Sequence, residues 1–252
     1  MVLFRLQEKQ LSSHTFRFLG QISSKNPQIW AISDSNEIKH ITKVLRLSEG
    51  TEIEVTDGKG RWIKGLLGHA NKSEIPVQPT SSHQEPANHV KLSIAIGALK
   101  HGHIDEIVPP LCELGVNEFH IFLQQNEKTL INSKAHDRWK RLAESAIKQS
   151  KRSWLPNIEV HSDLDSLLKK KNLPKEHCYY LDAAAERSLL TVTPLPPELL
   201  VVIGGEKGLM SGELLQLKSH SFTALSMSTG VLRAKTAAIA SASILGLQIT
   251  NT

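Results

Sequence analysis

The sequence is poor in cysteine: Cys112 and Cys178 are the only two among 252 residues, and they form no CxxC pair. That excludes a disulfide framework and a four-thiol zinc ribbon, and it points to two small core residues in a reducing compartment. Long apolar runs are also lacking. The most hydrophobic stretch, Thr236–Leu247, is short and rich in Ala and Ser, so no membrane span is expected. The opening residues, MVLFRLQEKQ, carry neither the apolar core nor the small-residue cleavage site of a secretory signal, which leaves a cytoplasmic location as the expectation. No low-complexity tract or internal repeat is visible.

Several catalytic signatures are missing as well. There is no GxSxG elbow and no GxGxxG dinucleotide fingerprint. GGEKGLMSG has glycines and a lysine, but the lysine precedes the second glycine and no GK[ST] follows, so it is not a phosphate-binding P-loop. His101 and His103 form an HxH pair without a third ligand at convincing spacing, and no metal is expected. What charge there is leans positive. Thirty Lys and Arg against 25 Asp and Glu give +5, a balance that favours a polyanionic partner through counterion release.

The chain changes character along its length. Thr51–Thr56 alternates polar and apolar side chains, Asp57-Gly58 and Lys59-Gly60 supply turn chemistry, and Arg61–Leu67 resumes the strand, so residues 1–77 read as a small β-rich domain containing a hairpin. Residues 78–88 (QPTSSHQEPAN) are polar, hold two prolines and read as a linker. From residue 89 to 252, short apolar runs suited to buried parallel strands (Leu92–Leu99, Glu118–Leu123, Cys178–Asp182, Leu199–Gly204, Phe222–Met227) alternate with helical patterns. Trp139, Leu142, Ala143, Ala146 and Ile147 repeat at helical spacing among basic residues. That alternation predicts an α/β domain with a mostly parallel sheet. Ile104, Ile107, Val108, Leu111 and Leu114 also keep helical spacing, although Pro109-Pro110 should kink that helix or start it.

The strongest constellation lies near the C-terminus. Leu199–Ile203 runs into Gly204-Gly205-Glu206-Lys207-Gly208, and glycine-rich backbone just beyond a parallel strand is where an open α/β sheet binds ligands. About twenty residues later a second strand ends at Met227 and leads through Ser228-Thr229-Gly230-Val231-Leu232-Arg233 into a small-residue helix. Two loops at neighbouring strand ends can wrap one small ligand. Spacing alone equally allows two ordinary strand-to-helix turns.

These segments resemble a known family. VVIGGEKGLMSGE and LSMSTGVLRAKTAAIAS are similar to the IGPEGGFSxxE and LGxRILRTETA motifs of the RsmE family, 16S rRNA (uracil-N3)-methyltransferases of the SPOUT superfamily. The likeness continues in order along the chain. His40–Gly60 resembles that family's PUA-like domain, Asp105–Val116 its DLIVQKATELGV helix, and Gln149, Ser150, Arg152 and Pro156 its QSxR-x-x-x-P stretch. The resemblance implies a PUA-like β-barrel followed by an α/β SPOUT domain with a trefoil knot, a homodimer, and S-adenosylmethionine as methyl donor. It implies that Ile203, Gly204, Gly205, Glu206 and Gly208 form one cofactor loop and Met227, Ser228, Val231, Leu232 and Thr236 the other, with Leu181 and Asp182 as a weaker third element. Arg233 is then the candidate for orienting the RNA or polarising the uracil. His40, Lys43, Arg46 and Arg152 are the candidates for docking 16S rRNA or the small ribosomal subunit.

The chain departs from the family pattern at chemically important places. Gly205 stands for proline, Lys207 for glycine, Gly230 for the first arginine of RILR, Lys235 for the glutamate of TETA, and Pro109-Pro110 for a Gln-Lys pair. Lys207 and Lys235 fall where their charges could overlap and replace the two lost cations. Three readings fit these departures: an rRNA uridine-N3 methyltransferase, a methyltransferase for another RNA position, and an RNA-binding protein without transferase activity.

Overall fold

The computed structural model describes residues 15–71, 73–100, 102–124, 133–171, 173–227 and 230–250. They separate into two units. One holds the described residues up to Asp57 together with Arg61–Gln84; the other holds Gly58–Gly60 and the described residues from Glu85 onward.

The first unit is a six-stranded sheet: β1 (Arg17–Leu19), β2 (Gln21–Ile22), β3 (Trp30–Ile32), β4 (Glu52–Thr56), β5 (Arg61–Leu67) and β6 (Ile75–Gln84), in the order β1-β4-β5-β6-β3-β2. The expected hairpin is β4 paired antiparallel with β5, from Glu52 opposite Leu66 to Thr56 opposite Trp62. Its alternation puts Ile53, Val55, Ile63 and Leu67 into a core with Phe18, Trp30, Ile32, Ile41, Ile75 and Val77. The helix α1 (Ser35–Lys39) starts because the Asp34 carboxylate accepts from the amides of Asn36 and Glu37.

Residues 78–88 are not linker throughout: only residues 85–88 lack regular structure, and Gln78–Gln84 is the outer half of β6. Its side chains are mostly exposed, and the strand is held through its backbone against β5, so no apolar alternation was needed. Pro79, which has no amide to donate, sits opposite Gly65 where the register shifts.

The second unit carries a parallel sheet ordered β12-β10-β11-β7-β8-β9. Its elements run β7 (Lys91–Gly97), α2 (His103–Glu113), β8 (Glu118–Phe122), α3 (Ser133–Ser150), β9 (Asn157–His161), α4 (Leu164–Lys171), β10 (Cys178–Leu181), β11 (Glu198–Ile203), α5 (Ser211–Ser219), β12 (Thr223–Leu225) and α6 (Ala234–Thr250). Every neighbouring pair in this sheet is parallel. The helix α2 begins at His103 and continues through both prolines, rather than starting at them. Each proline removes an amide at a cost of about 3 kcal/mol. Burial of Ile104, Ile107, Val108, Leu111 and Cys112, at roughly 1.5–3 kcal/mol for each large side chain, offsets that cost. No helix among the described residues is long and apolar enough to cross a membrane.

Candidate functional site

β11 is buried from Leu199 to Ile203, and the chain turns sharply where it ends. The Gly208 amide donates to Gly205 O at 3.0 Å, and Gly208 takes a left-handed φ of 77°. A methyl group on Gly204 would lie 2.2 Å from Gly208 C and 2.3 Å from Leu209 N, so only glycine lets the loop close on itself. The adjacent β7 end is equally tight, since a Cβ on Gly97 would come within 2.6 Å of Gly205 N.

Two side chains hold this loop. Glu206 accepts the Lys100 backbone amide at 3.0 Å, with His103 Nδ1 3.3 Å away. Gln124, 5 % exposed at the end of β8, donates to Gly208 O at 2.9 Å and to Glu213 Oε2 at 2.8 Å. Glu213 in turn accepts the Met210 amide at 2.7 Å, capping α5. The only signal of Gln124 in the sequence is a glutamine following a buried apolar strand. We expect Gln124→Leu, which takes the buried amide donor away from Gly208 O and Glu213, to lower stability by about 1–3 kcal/mol in urea unfolding. An unchanged midpoint would show that the bridge holds nothing.

The loop walls a cleft of about 480 Å³, lined also by Leu181, Asp182, Ala183, Leu209, Leu214, Leu225, Met227, Gly230, Val231, Leu232, Arg233, Ala234 and Ala237. Of the residues expected at a cofactor site, Leu181, Ile203, Gly204, Gly205, Glu206, Gly208, Met227, Val231 and Leu232 therefore meet around one cavity. Ser228 lies outside the described residues. Thr236 does not reach the cleft: it is exposed, and Ala234 and Ala237, three apart on α6, face the cavity instead. The phase of the helix, about 100° per residue, turns Thr236 away.

The flanking charges are distributed unequally. Arg233 is exposed at the cleft wall, and its guanidinium makes no ion pair among the described residues. Lys207 lines the cleft, whereas Lys235 pairs with Glu106 of α2, so the two lysines do not share space. That ion pair holds the Glu106 carboxyl below its ordinary value. His40, Lys43 and Arg46 are all exposed just beyond α1, within and after one wide helical turn. Arg152 is committed differently. Its Nε donates to Glu113 O at 2.8 Å, and its guanidinium covers Gly115, which ends α2 with a φ of 80°.

Known proteins share the two-part organisation of the chain. Residues 86–246 match the family model for the RNA methyltransferase domain, and residues 32–79 match that for the RNA methyltransferase PUA domain. The ribosomal RNA small subunit methyltransferase E of Synechocystis is 28 % identical over 207 residues, covering 80 % of this chain and 67 % of that protein. Its Bacillus subtilis counterpart is 25 % identical, covering 84 % and 88 %. The solved structure of the Neisseria gonorrhoeae enzyme, bound to S-adenosyl methionine, superposes with a TM-score of 0.79 at 20 % identity, over 93 % of this chain and 98 % of that one. The fold is thus the SPOUT methyltransferase fold preceded by a PUA-like domain. With its family model matched over well more than half its length, the chain belongs to the RNA methyltransferase family.

Proposed function

We propose that this protein methylates N3 of a uridine in 16S rRNA, using S-adenosylmethionine bound in the cleft of β10, β11 and β12. The observation that carries this reading is the convergence of both glycine-containing loops on one cavity of suitable size. The residues fit the cofactor. Leu181, Leu209, Leu225, Val231 and Leu232 offer an apolar surface to an adenine ring, while Gly204, Gly205 and Gly208 let backbone groups approach its edge. S-adenosylmethionine supplies an electrophilic methyl group.

The chain's own residues do the rest. Uracil N3 is a poor nucleophile until its proton leaves or charge on the flanking carbonyl oxygens is stabilised. Arg233, exposed at the cleft and free of a carboxylate among the described residues, is placed to supply that stabilisation and to orient the base. His40, Lys43 and Arg46 form an exposed basic group suited to rRNA phosphates. Arg152, whose Nε also donates to Glu113 O, is the catalytic-domain candidate for the same phosphate contacts. The test is nucleoside mass spectrometry of small-subunit rRNA from a deletion strain. Loss of N3-methyluridine is expected; its undiminished persistence would sink this reading.

We further propose that the protein acts in the cytoplasm as a homodimer with knotted C-terminal segments, the partner completing each cleft. Support for the dimer comes from α6. This helix is apolar nearly all round, yet Leu247 is 65 % exposed and lines an apolar hollow with Leu190, Val192, Leu195 and Ile244. Val231, at the cleft, is 90 % exposed. Light scattering should give about twice 27.9 kDa, and Leu247→Asp should weaken the dimer at least roughly tenfold. A monomeric wild-type protein would refute the arrangement.

A further inference from the structure

We propose that His120, Glu159 and His161 form a zinc site at the outer edge of the catalytic-domain sheet, separate from the methyltransferase cleft. His120 lies on β8, opposite Glu159 of β9, and His161 follows two residues later on the same face. The His120 and His161 side chains are 1 % and 5 % exposed, and Glu159 is 23 % exposed. The two imidazoles are buried side by side and hydrogen-bonded to each other, where an aliphatic pair would fill the same space.

The donor geometry points to a metal. His120 Nδ1 and His161 Nε2 are 3.0 Å apart, and Glu159 Oε2 is 3.7 Å from each. A point equidistant from these three atoms lies about 2.0 Å from each, which matches Zn–N distances of about 2.0–2.1 Å and Zn–O distances of about 2.0–2.2 Å. The second ring nitrogen of His120 is 3.3 Å from Glu118 Oε2. A carboxylate behind a ligating histidine fixes the ring and its tautomer, as in metal sites generally.

Glu159 and His161 also line an open hollow with His136, Ser166 and Lys170, from which water can reach the ion as a fourth ligand. Lys170 Nζ, 2.9 Å from Glu159 Oε2, is the natural competitor for the carboxylate. Its side chain is 60 % exposed on a long stem, so it can swing into solvent when a dication arrives. Two imidazoles and one carboxylate suit zinc, and a hard oxygen-seeking ion such as magnesium is disfavoured. The ion would clip β9, which among the described residues is an edge strand paired with β8 alone, to that neighbour.

The test titrates the chelator-treated full-length protein with Zn2+, and separately with Co2+ as a visible probe. One equivalent of Co2+ should give the strong absorption of a four-coordinate site, and Zn2+ should bleach it. Zn2+ affinity should fall at least 100-fold in His161→Gln and in Glu159→Gln, fall about 10–100-fold in Glu118→Gln, and rise in Lys170→Met. Absence of the Co2+ band in the wild-type protein overturns the proposal, whether or not the variants fold. So does Zn2+ binding of equal strength in folded His161→Gln, because the ion would then lie on other histidines.

Discussion

Gly204→Ala should abolish S-adenosylmethionine binding, with affinity falling more than about 1,000-fold by calorimetry. The added methyl would sit 2.2 Å from Gly208 C, and both atoms nearest it belong to backbone. A rotamer change cannot relieve that overlap; the turn from Gly204 to Gly208 has to open. Opening it breaks the bond from the Gly208 amide to Gly205 O and displaces Gly208 O from Gln124. Overpacking of this kind costs roughly 1–3 kcal/mol in stability, so the variant should still fold. The affinity loss exceeds the stability loss because the displaced backbone is itself the cleft wall. Near-wild-type binding by Gly204→Ala would show that the cofactor lies elsewhere.

Arg233→Ala should behave in the opposite way. Its guanidinium is exposed at the cleft and makes no ion pair among the described residues, so removing it leaves no carboxylate stranded. The methylation rate should drop about 100–1,000-fold, the range for losing one donor aimed at developing charge. Cofactor affinity should stay within about twofold, because removing a group that acts in the transition state lowers turnover rather than ground-state binding. Single-turnover methylation of small-subunit particles, paired with calorimetry, separates the two quantities. Equal losses in both would make Arg233 a support of the loop instead.

Much of the fold was legible because burial leaves a periodic trace. The apolar runs that became β7, β8, β10, β11 and β12 stand out since parallel strands are covered on both faces. β9 left no such run: its five residues, NIEVH, include Glu159 and His161, which face the His120 side of the sheet edge. The outer half of β6 resembles a linker in sequence for a related reason, being held by backbone bonds that composition does not record.

The cleft was legible where the requirement is local. Gly204 and Gly208 are dictated by the turn they occupy, and spacing placed both loops at strand ends. What spacing could not supply was the helical phase that exposes Thr236, or the reach of Gln124 across 84 residues to Gly208. The same limit applies to His120 and His161. A search for metal ligands at short spacing finds His101 and His103; strand register is what sets two histidines 41 residues apart within 3.0 Å.

The order of strands has a consequence for how the protein comes into being. β10 lies between β11 and β12, so the cleft is closed only by β12 and the start of α6. During synthesis the PUA-like unit and strands β7 to β9 leave the ribosome well before those pieces exist. Pairings between distant segments form slowly, because the loop entropy must be lost before the contact is gained. The emerging chain can therefore hold folded parts able to meet RNA while it still has no place for a methyl donor. Competence for transfer arrives late and all at once, when β12 and the start of α6 dock.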